Sequence, residues 1–566
     1  MTPVLQGTQS YISGTTAHPL MFETIGNCFD RIAETYPDRE AIVVRHQNIR
    51  WTFKEYNEKV NELATGLLKI GIKPGDRVGI WSPNRIEWSL TQFATAKIGA
   101  VLVCINPAYR LYELEYALNK VECKAIVTAE SFKTSQYIRM LQELAPELAR
   151  CEPGALVAHL LPHLKSVIRM GDEKTTGMFN FADVCSMGGE KEAAQLKTLK
   201  NKLQPDDVIN IQFTSGTTGS PKGAALSHFN ILNNGNQVAE GMNLTPEDRL
   251  CVPVPLYHCF GMVMGNLACL TKGATVVFPS EAFEPLSVLE TVQEEKCTAL
   301  HGVPTMFIGE LQLPEIDSFD LSSLRTGIMA GAPCPAEVMR KVMSKMNMTE
   351  VTIMYGQTET SPVNHMTDID APVDKRCETV GKVGPHQEIK IIDIEGRVVP
   401  VGEKGELCCR GYSVMQGYWN DTEKTRDTID SANWLHSGDL AIMDEEGYVQ
   451  IVGRIKDMII RGGENVYPRE VEEFLYTHPK VREVEVFGVP HEKYGEQVCA
   501  WIQLKEGEAS TEEDIKDFCK DKITHFKVPS HIRFVEEFPM TVTGKIQKFK
   551  MREAMEKELF GSTVIA

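Results

Sequence analysis

Lysine and arginine are missing from the first thirty residues, Arg31 being the earliest of either. A secretory signal starts basic and a mitochondrial presequence is rich in arginine, so neither is visible at this end. Long hydrophobic runs are missing too: the richest, residues 259–270, is broken by Gly261, Gly265 and Asn266. A transmembrane helix needs about 20 apolar residues, so a soluble protein is expected. Positive charge is scarce overall. The formal net charge is −18 and no block of Lys and Arg occurs, which argues against a nucleic-acid partner, since that normally requires a basic face. A polyanionic ligand would have to meet positive charge only locally. Cysteine is not scarce, at 15 residues, but no Cys-x-x-Cys pair occurs and only Cys408 and Cys409 are close. That odd, scattered set fits a reducing compartment and argues against a disulfide framework or a zinc site. The final Thr-Val-Ile-Ala is no peroxisomal address, and no repeat or low-complexity segment stands out.

What is present is a rhythm. A chain of 566 residues exceeds one ordinary core and implies about two to four domains or one large multi-lobed fold. Phe22, Ile25, Phe29 and Ile32 fall three and four apart and predict a helix that stops before Pro37. Two short strands follow. Thr52 and Glu55 form a capping box for a helix with the inner stripe Tyr56, Val60, Leu63 and Leu67, closing at Gly71 and Pro74. Strands at 78–81, 101–105 and 125–128 then alternate with helices at 86–97 and 111–121, the pattern of a parallel α/β sheet. Residues 136–202 carry weaker signals, with one helical candidate near 192–200 and no assigned chemistry. The rhythm resumes with strands at 274–278, 299–301, 327–330 and 351–355 and helices at 286–295 and 337–345. From about residue 380 short strands separated by Gly and Pro predict a smaller β-rich lobe, with a further boundary near Gly453. The densest basic cluster follows late, at Lys545, Lys548, Lys550 and Arg552.

The chain is organised around residues 214–223, Thr-Ser-Gly-Thr-Thr-Gly-Ser-Pro-Lys-Gly, set between strands at 208–213 and 224–226. Gly216, Gly219 and Gly223 let backbone N–H groups converge on an anion. Thr214, Ser215, Thr217, Thr218 and Ser220 offer hydroxyls, and Lys222 a positive charge after Pro221. The Walker A pattern fails, because Pro221 precedes Lys222 and Gly223 follows it. A polar turn without a ligand is the bland alternative. Tyr355-Gly-Gln-Thr358-Glu359 ends a strand, where ligands gather in open α/β sheets. Glu359 there is a hard oxygen donor suited to Mg2+, or else a solvated loop carboxylate. Asp439, after Gly438, places a carboxylate at a turn, as many turn-forming Asp residues do. Arg454 and Lys456 taken alone read as an ordinary charged turn, Arg461-Gly462-Gly463 as a plain hairpin turn, and Lys545 as a solvated Lys on a Gly-containing turn. His258 by itself reads as a core histidine; no second His or Cys has ligand spacing to it.

Taken together and in this order, these stretches resemble the motifs of the adenylate-forming superfamily, which holds acyl-CoA synthetases, luciferases and the adenylation domains of peptide synthetases. The resemblance covers about residues 22–560. It implies an α/β fold: a large N-terminal adenylation domain, 1–453, of α/β sheets plus a β-rich lobe, and a small mobile α+β C-terminal domain, 454–566, with its hinge at about 454–457. By the same resemblance the 214–222 loop holds ATP phosphates, Glu359 holds Mg2+ and Thr358 touches phosphate. Gly331-Ala332-Pro333 packs adenine, with Tyr355 also on the nucleotide. Asp439 takes both ribose hydroxyls, Arg454 the ribose or phosphate, and Lys456 is the pivot. Arg461, Gly462 and Gly463 serve the CoA step, where glycines leave room for a pantetheine arm. Lys545 neutralises the transferring carboxylate and the α-phosphate, and His258 lies beside the acyl carboxylate. The stretches 210–223, 456–465 and 543–548 look most like the mitochondrial medium-chain acyl-CoA synthetases, the branch called acyl-CoA synthetase family member two; Thr543 stands where that branch often has Ser.

The implied activity is an acid–thiol ligase that uses ATP, Mg2+ and CoA on a medium-chain fatty acid, with small molecules as its partners and no nucleic acid. Aryl or short-chain carboxylates are the alternative substrates. Rival readings are a luciferase-like oxygenase, a peptide-synthetase adenylation domain (though no carrier domain follows Lys545) and a catalytically dead nucleotide sensor. On the resemblance the compartment is the mitochondrial matrix; the missing presequence leaves a processed form or a cytoplasmic protein as the expectation.

Overall fold

The structure is a computed structural model that describes residues 7–214, 221–332, 334–462, 464–520, 522–540 and 546–561. The chain divides into two compact units, one within Ile12–Glu388 and Cys409–Leu435, the other within Val4–Tyr11, Ile389–Cys408 and His436–Ala566.

The first unit is built on two large sheets. One runs in the order Gly417–Tyr418, Lys222–Ser227, Val208–Thr214, Val101–Cys104, Arg77–Trp81, Ala125–Thr128, Ser166–Arg169, Phe179–Asn180. Its strands from Val208–Thr214 onward are parallel, whereas Lys222–Ser227 turns back antiparallel on Val208–Thr214. The other has a parallel centre, Glu350–Gly356, Thr326–Ala330, Ala299–Gly302, Arg249–Cys251, Thr275–Phe278 and Glu40–Val44, with antiparallel strands at both edges. Central strands such as Val101–Cys104 and Ala125–Thr128 are buried throughout, which is why they read as unbroken apolar runs. Helix Ile86–Ile98 is likewise buried on all sides. Its Phe93 meets Phe29 and Tyr56 from two other helices, Phe29 stacking on Phe93 at 4.8 Å.

The capping box forms as the sequence predicts: Glu55 N–H donates to Thr52 Oγ1 at 3.2 Å and Thr52 N–H to Glu55 Oε2 at 2.8 Å. The first helix is shorter than its periodicity predicts. It spans Ile25–Thr35, because Thr24 caps it by accepting from Asn27 N–H, and Phe22 lies outside, 66% exposed and against Phe229. The faint stretch 136–202 holds helices Tyr137–Leu144 and Glu190–Lys200 and the two strands that extend the first sheet. The strands predicted at 208–213 and 224–226 extend further than predicted, so that Thr214 and Lys222 are themselves paired strand residues. Helix His228–Gly241 escaped the periodicity because its buried face carries amides: Asn233 Oδ1 accepts from Met21 N–H at 2.7 Å and Asn234 Nδ2 donates to Val363 O at 2.7 Å.

Two smaller sheets follow, of which the one between Ile459 and Phe534 lies wholly within the second unit. One has the order Tyr11–Ser13, Gln387–Ile392, Lys404–Gly411, Leu435–Met443, Val449–Arg454, the β-rich lobe of the sequence reading with an N-terminal strand that reading did not foresee. The other joins Glu464–Val466, Ile459–Arg461, Gly495–Leu504 and Val481–His491 antiparallel, with His531–Phe534 parallel to Gly495–Leu504. Its core is Val471, Leu475, Val484, Val486, Val498, Ile502 and Ile515. Among the described residues no helix is long and apolar enough to cross a membrane.

Candidate functional site

Parallel strands deliver their C-terminal ends to one edge of a sheet, and the loops that leave there gather side chains. In the first unit the chain leaves Thr326–Ala330 at Gly331-Ala332 and its parallel neighbour Glu350–Gly356 at Gln357, Thr358 and Glu359. Gly331 has φ +87°, and a Cβ there would come within 3.2 Å of Val303 Cγ1, so a glycine suits the position. Gly331 and Ala332 are exposed, while Tyr355 is half-buried with its ring 5.8 Å from that of His365. His258 is not a core residue: it is exposed, and its Nδ1 accepts from Phe260 N–H at 3.4 Å to cap the short helix Cys259–Gly261. Pro333 lies outside the described residues.

Thr214 and Lys222 face each other as antiparallel partners. Ser215, Gly216, Thr217, Thr218, Gly219 and Ser220 are outside the described residues; Pro221 O accepts from Tyr116 OH at 3.2 Å. Thr214 Oγ1 lies 3.4 Å from Glu359 Oε1. Lys222 Nζ donates to Tyr418 OH at 2.9 Å, and that hydroxyl donates to Glu359 Oε1 at 2.7 Å. Lys222 also stands over the Tyr418 ring, 4.3 Å from its centroid. Burial first, and then the Glu359 charge, push the Tyr418 phenol well above its ordinary range, so it stays a neutral donor. The Glu359 carbonyl accepts from Met415 N–H at 2.9 Å, which ties the turn Thr358–Thr360 to the segment leading into Tyr418. Tyr418 and Tyr116 were missed in the sequence. The signal available for Tyr418 was Gly417-Tyr418-Trp419, but 196 residues separate it from Lys222.

In the second unit, Asp439 and Arg454 are cross-strand partners, and Arg454 Nε donates to Asp439 Oδ1 at 3.1 Å. Asp439 is buried, with its N–H on Ser437 Oγ at 3.0 Å, after Gly438 at φ +70°. Lys456 is exposed in the turn Ile455–Asp457. Strands Ile459–Arg461 and Glu464–Val466 pair with Arg461 opposite Glu464, a two-residue hairpin. Gly462 has φ +62° there and donates its N–H to Tyr494 O at 2.7 Å. Arg461 donates to Phe526 O at 2.7 Å and stacks 5.7 Å from the Tyr494 centroid. Gly463 and Lys545 lie outside the described residues. The late basic cluster is partly structural: Lys548 holds Glu485 at 3.0 Å and Val486 O at 2.9 Å, and Arg552 holds Glu496 at 3.2 Å. Cysteine spacing argued against a zinc site, yet Cys408 meets His436 and Glu406 in this unit.

Two large mixed sheets with ligand-type loops at their strand ends, followed by a small α+β C-terminal part, make the fold that of the adenylate-forming enzymes. Residues 29–419 match the AMP-binding enzyme family and residues 470–545 its C-terminal domain. The chain belongs to the AMP-binding enzyme family. It is 50% identical over 558 residues to the medium-chain acyl-CoA ligase ACSF2, mitochondrial, of Danio rerio, covering 98% of this chain and 91% of that one. It is 48% identical over 535 residues to YngI of Bacillus subtilis (strain 168), covering 94% and 97%. The crystal structure of the anthranilate CoA ligase AuaEII with anthranoyl-AMP superposes with TM-score 0.83 at 27% identity, covering 96% of this chain and 98% of that one. ATP-bound MatB from Rhodopseudomonas palustris gives 0.82 at 28%, covering 94% and 99%.

Proposed function

We propose that this protein is an ATP-dependent acyl-CoA ligase for medium-chain fatty acids. The observation that carries the reaction is the chain Lys222–Tyr418–Glu359 with Thr214 beside it, which sets a cation, a neutral donor, a carboxylate and a hydroxyl at the base of a Gly/Ser/Thr loop. A fatty-acid carboxylate oxygen attacks the α-phosphorus of ATP, the bond to the β-phosphate oxygen breaks, and pyrophosphate leaves. CoA thiolate then attacks the acyl carbon of the adenylate, and the C–O bond to AMP breaks. Both steps concentrate negative charge, so fixed cations and donors supply most of the acceleration.

Thr214, the 215–220 loop, Pro221 and Lys222 are assigned to the phosphates, Gly331–Pro333 to adenine, Tyr355 to the nucleotide, Asp439 to the ribose and Arg454 to the ribose or phosphate. Thr358 is placed on phosphate, His258 beside the acyl carboxylate, and Lys545 on the α-phosphate during the first step. Arg461, Gly462 and Gly463 serve the thioester step, with Lys456 as the pivot that exchanges the two arrangements. The donor set at Glu359, a carboxylate with the Thr214 hydroxyl 3.4 Å away, is all hard oxygen and fits Mg2+. When bound, Mg2+ supplies charge neutralisation of the phosphate oxygens. The chain length and a mitochondrial location rest on the likeness to the Danio rerio ligase; the bacterial relative leaves the cytoplasm as the other location.

The test is pyrophosphate release and CoA-dependent AMP formation across saturated acids of increasing length, with acetate and aromatic acids alongside. A maximum at medium length supports the reading. Release driven only by acetate or by aromatic acids overturns the substrate, and no release with any acid overturns the reaction.

A further inference from the structure

We propose that Glu406, Cys408 and His436 form a site for a zinc-class divalent transition metal, separate from the Mg2+ assignment at Glu359. Glu406 and Cys408 stand two apart on strand Lys404–Gly411, hence on the same face. His436 comes from the neighbouring strand Leu435–Met443. Its Nδ1 lies 2.9 Å from Glu406 Oε2 and 3.7 Å from Cys408 Sγ, and the three ligand atoms are all within 4.8 Å of one another.

Both neighbours face the same ring nitrogen. A cation at their centre faces all three lone pairs. Tetrahedral zinc, with bonds of about 2.3 Å to sulfur and 2.0–2.2 Å to nitrogen and oxygen, needs edges of about 3.5 Å from sulfur to nitrogen and 3.3 Å from nitrogen to oxygen. The observed 3.7 and 2.9 Å are within a few tenths of an ångström of those edges.

The surroundings support ligation. Glu406 Oε1 accepts from Gly438 N–H at 3.1 Å, an outer contact that fixes the carboxylate and leaves Oε2 for the ion. Cys408 is buried, while the side chains of His436 and Glu406 are 31% and 19% exposed, so the metal enters from one side and a water completes the shell. A thiolate, an imidazole and one carboxylate form a borderline-soft set that favours zinc-class ions and not Mg2+ or Ca2+. Binding releases the Cys408 proton and cross-links the two strands just before Asp439. Cys408 and His436 are 28 residues apart, a spacing with no metal signature in the sequence, and adjacency of their strands brings them together.

The experiment titrates the full-length, metal-stripped protein with Co2+ and follows the thiolate-to-cobalt charge-transfer band, then competes with Zn2+ and with excess Mg2+. The expected result is one Co2+ per chain, displaced by Zn2+ and not by Mg2+. The band disappears in Cys408→Ser, and affinity falls at least ~10-fold in His436→Gln and Glu406→Gln. Circular dichroism checks the fold of each variant, and the half-exposed His436→Gln carries the test if Cys408→Ser is misfolded. Absence of a stoichiometric band, its survival in Cys408→Ser, unchanged affinity in folded His436→Gln, or displacement by Mg2+ overturns the site.

Discussion

Glu359 and Asp439 are both carboxylates with a basic residue in reach, but the two units hold them differently. Glu359 sits in a loop at the end of a parallel strand, and its cation, Lys222, is one Tyr418 hydroxyl away. Asp439 sits within an antiparallel ladder, directly opposite Arg454, and touches it without an intermediary. A ladder sets its pairs by register, so the second contact is rigid and local. A loop at a strand end is set by everything that packs on it, so the first contact depends on side chains from three separate segments.

The largest effect is expected at Glu359. Glu359→Gln keeps the shape and removes the charge, and pyrophosphate release should fall by about 10²–10³-fold, with partial rescue at high Mg2+. An unchanged Mg2+ dependence would break the comparison by making Glu359 a mere loop residue.

Next comes acid sensitivity of the first unit. His301 is buried and its pKa is pushed down to about 4, while His228 and His365 are pushed to about 3, all by burial. Each is neutral when folded, and the unfolded chain takes up protons first as pH drops below about 6.5. Stability is full above that pH and is lost down toward pH 4, by about 3 kcal/mol from His301 alone. Urea unfolding at pH 7 and pH 4.5 measures it; equal midpoints would contradict the burial argument.

Arg454→Leu should cost about 1–3 kcal/mol, since it removes the guanidinium that Asp439 holds at 3.1 Å. The double variant Arg454→Leu/Asp439→Leu should recover part of that loss, and a fully additive cycle would show that register pairing contributes nothing. The smallest effect is expected for Tyr418→Phe, which removes the bridging hydroxyl. About a tenfold drop in kcat/KM for ATP corresponds to about 1.4 kcal/mol. A drop as large as that of Glu359→Gln would make the bridge as important as the carboxylate.

Local chemistry was the legible part of the chain. The Thr52–Glu55 capping box, the Tyr56, Val60, Leu63, Leu67 stripe and the apolar central strands follow from interactions within four residues or from burial on both faces. Where a polar residue carried the structure, periodicity failed. Thr24 capped a helix that Phe22 had lengthened on paper, and the buried amides of Asn233 and Asn234 hid a whole helix. At the candidate site the residue types at 214, 222, 359, 439 and 454 could be picked out as chemistry-bearing, but not the company they keep.

Sequence alone determined the kind of protein: the motif order, the alternating strands and helices, and the chemical type of each group at the loops. Those properties are written in neighbours along the chain, where covalent geometry and hydrophobic period act directly. Tertiary structure alone decided which groups meet. Lys222 reaches Tyr418 across 196 residues, Tyr418 reaches Glu359 across 59, and Cys408 reaches His436 across 28. The physical reason is that strand order in a sheet is settled by burying whole faces at once, a sum over the entire core that no short window of sequence contains.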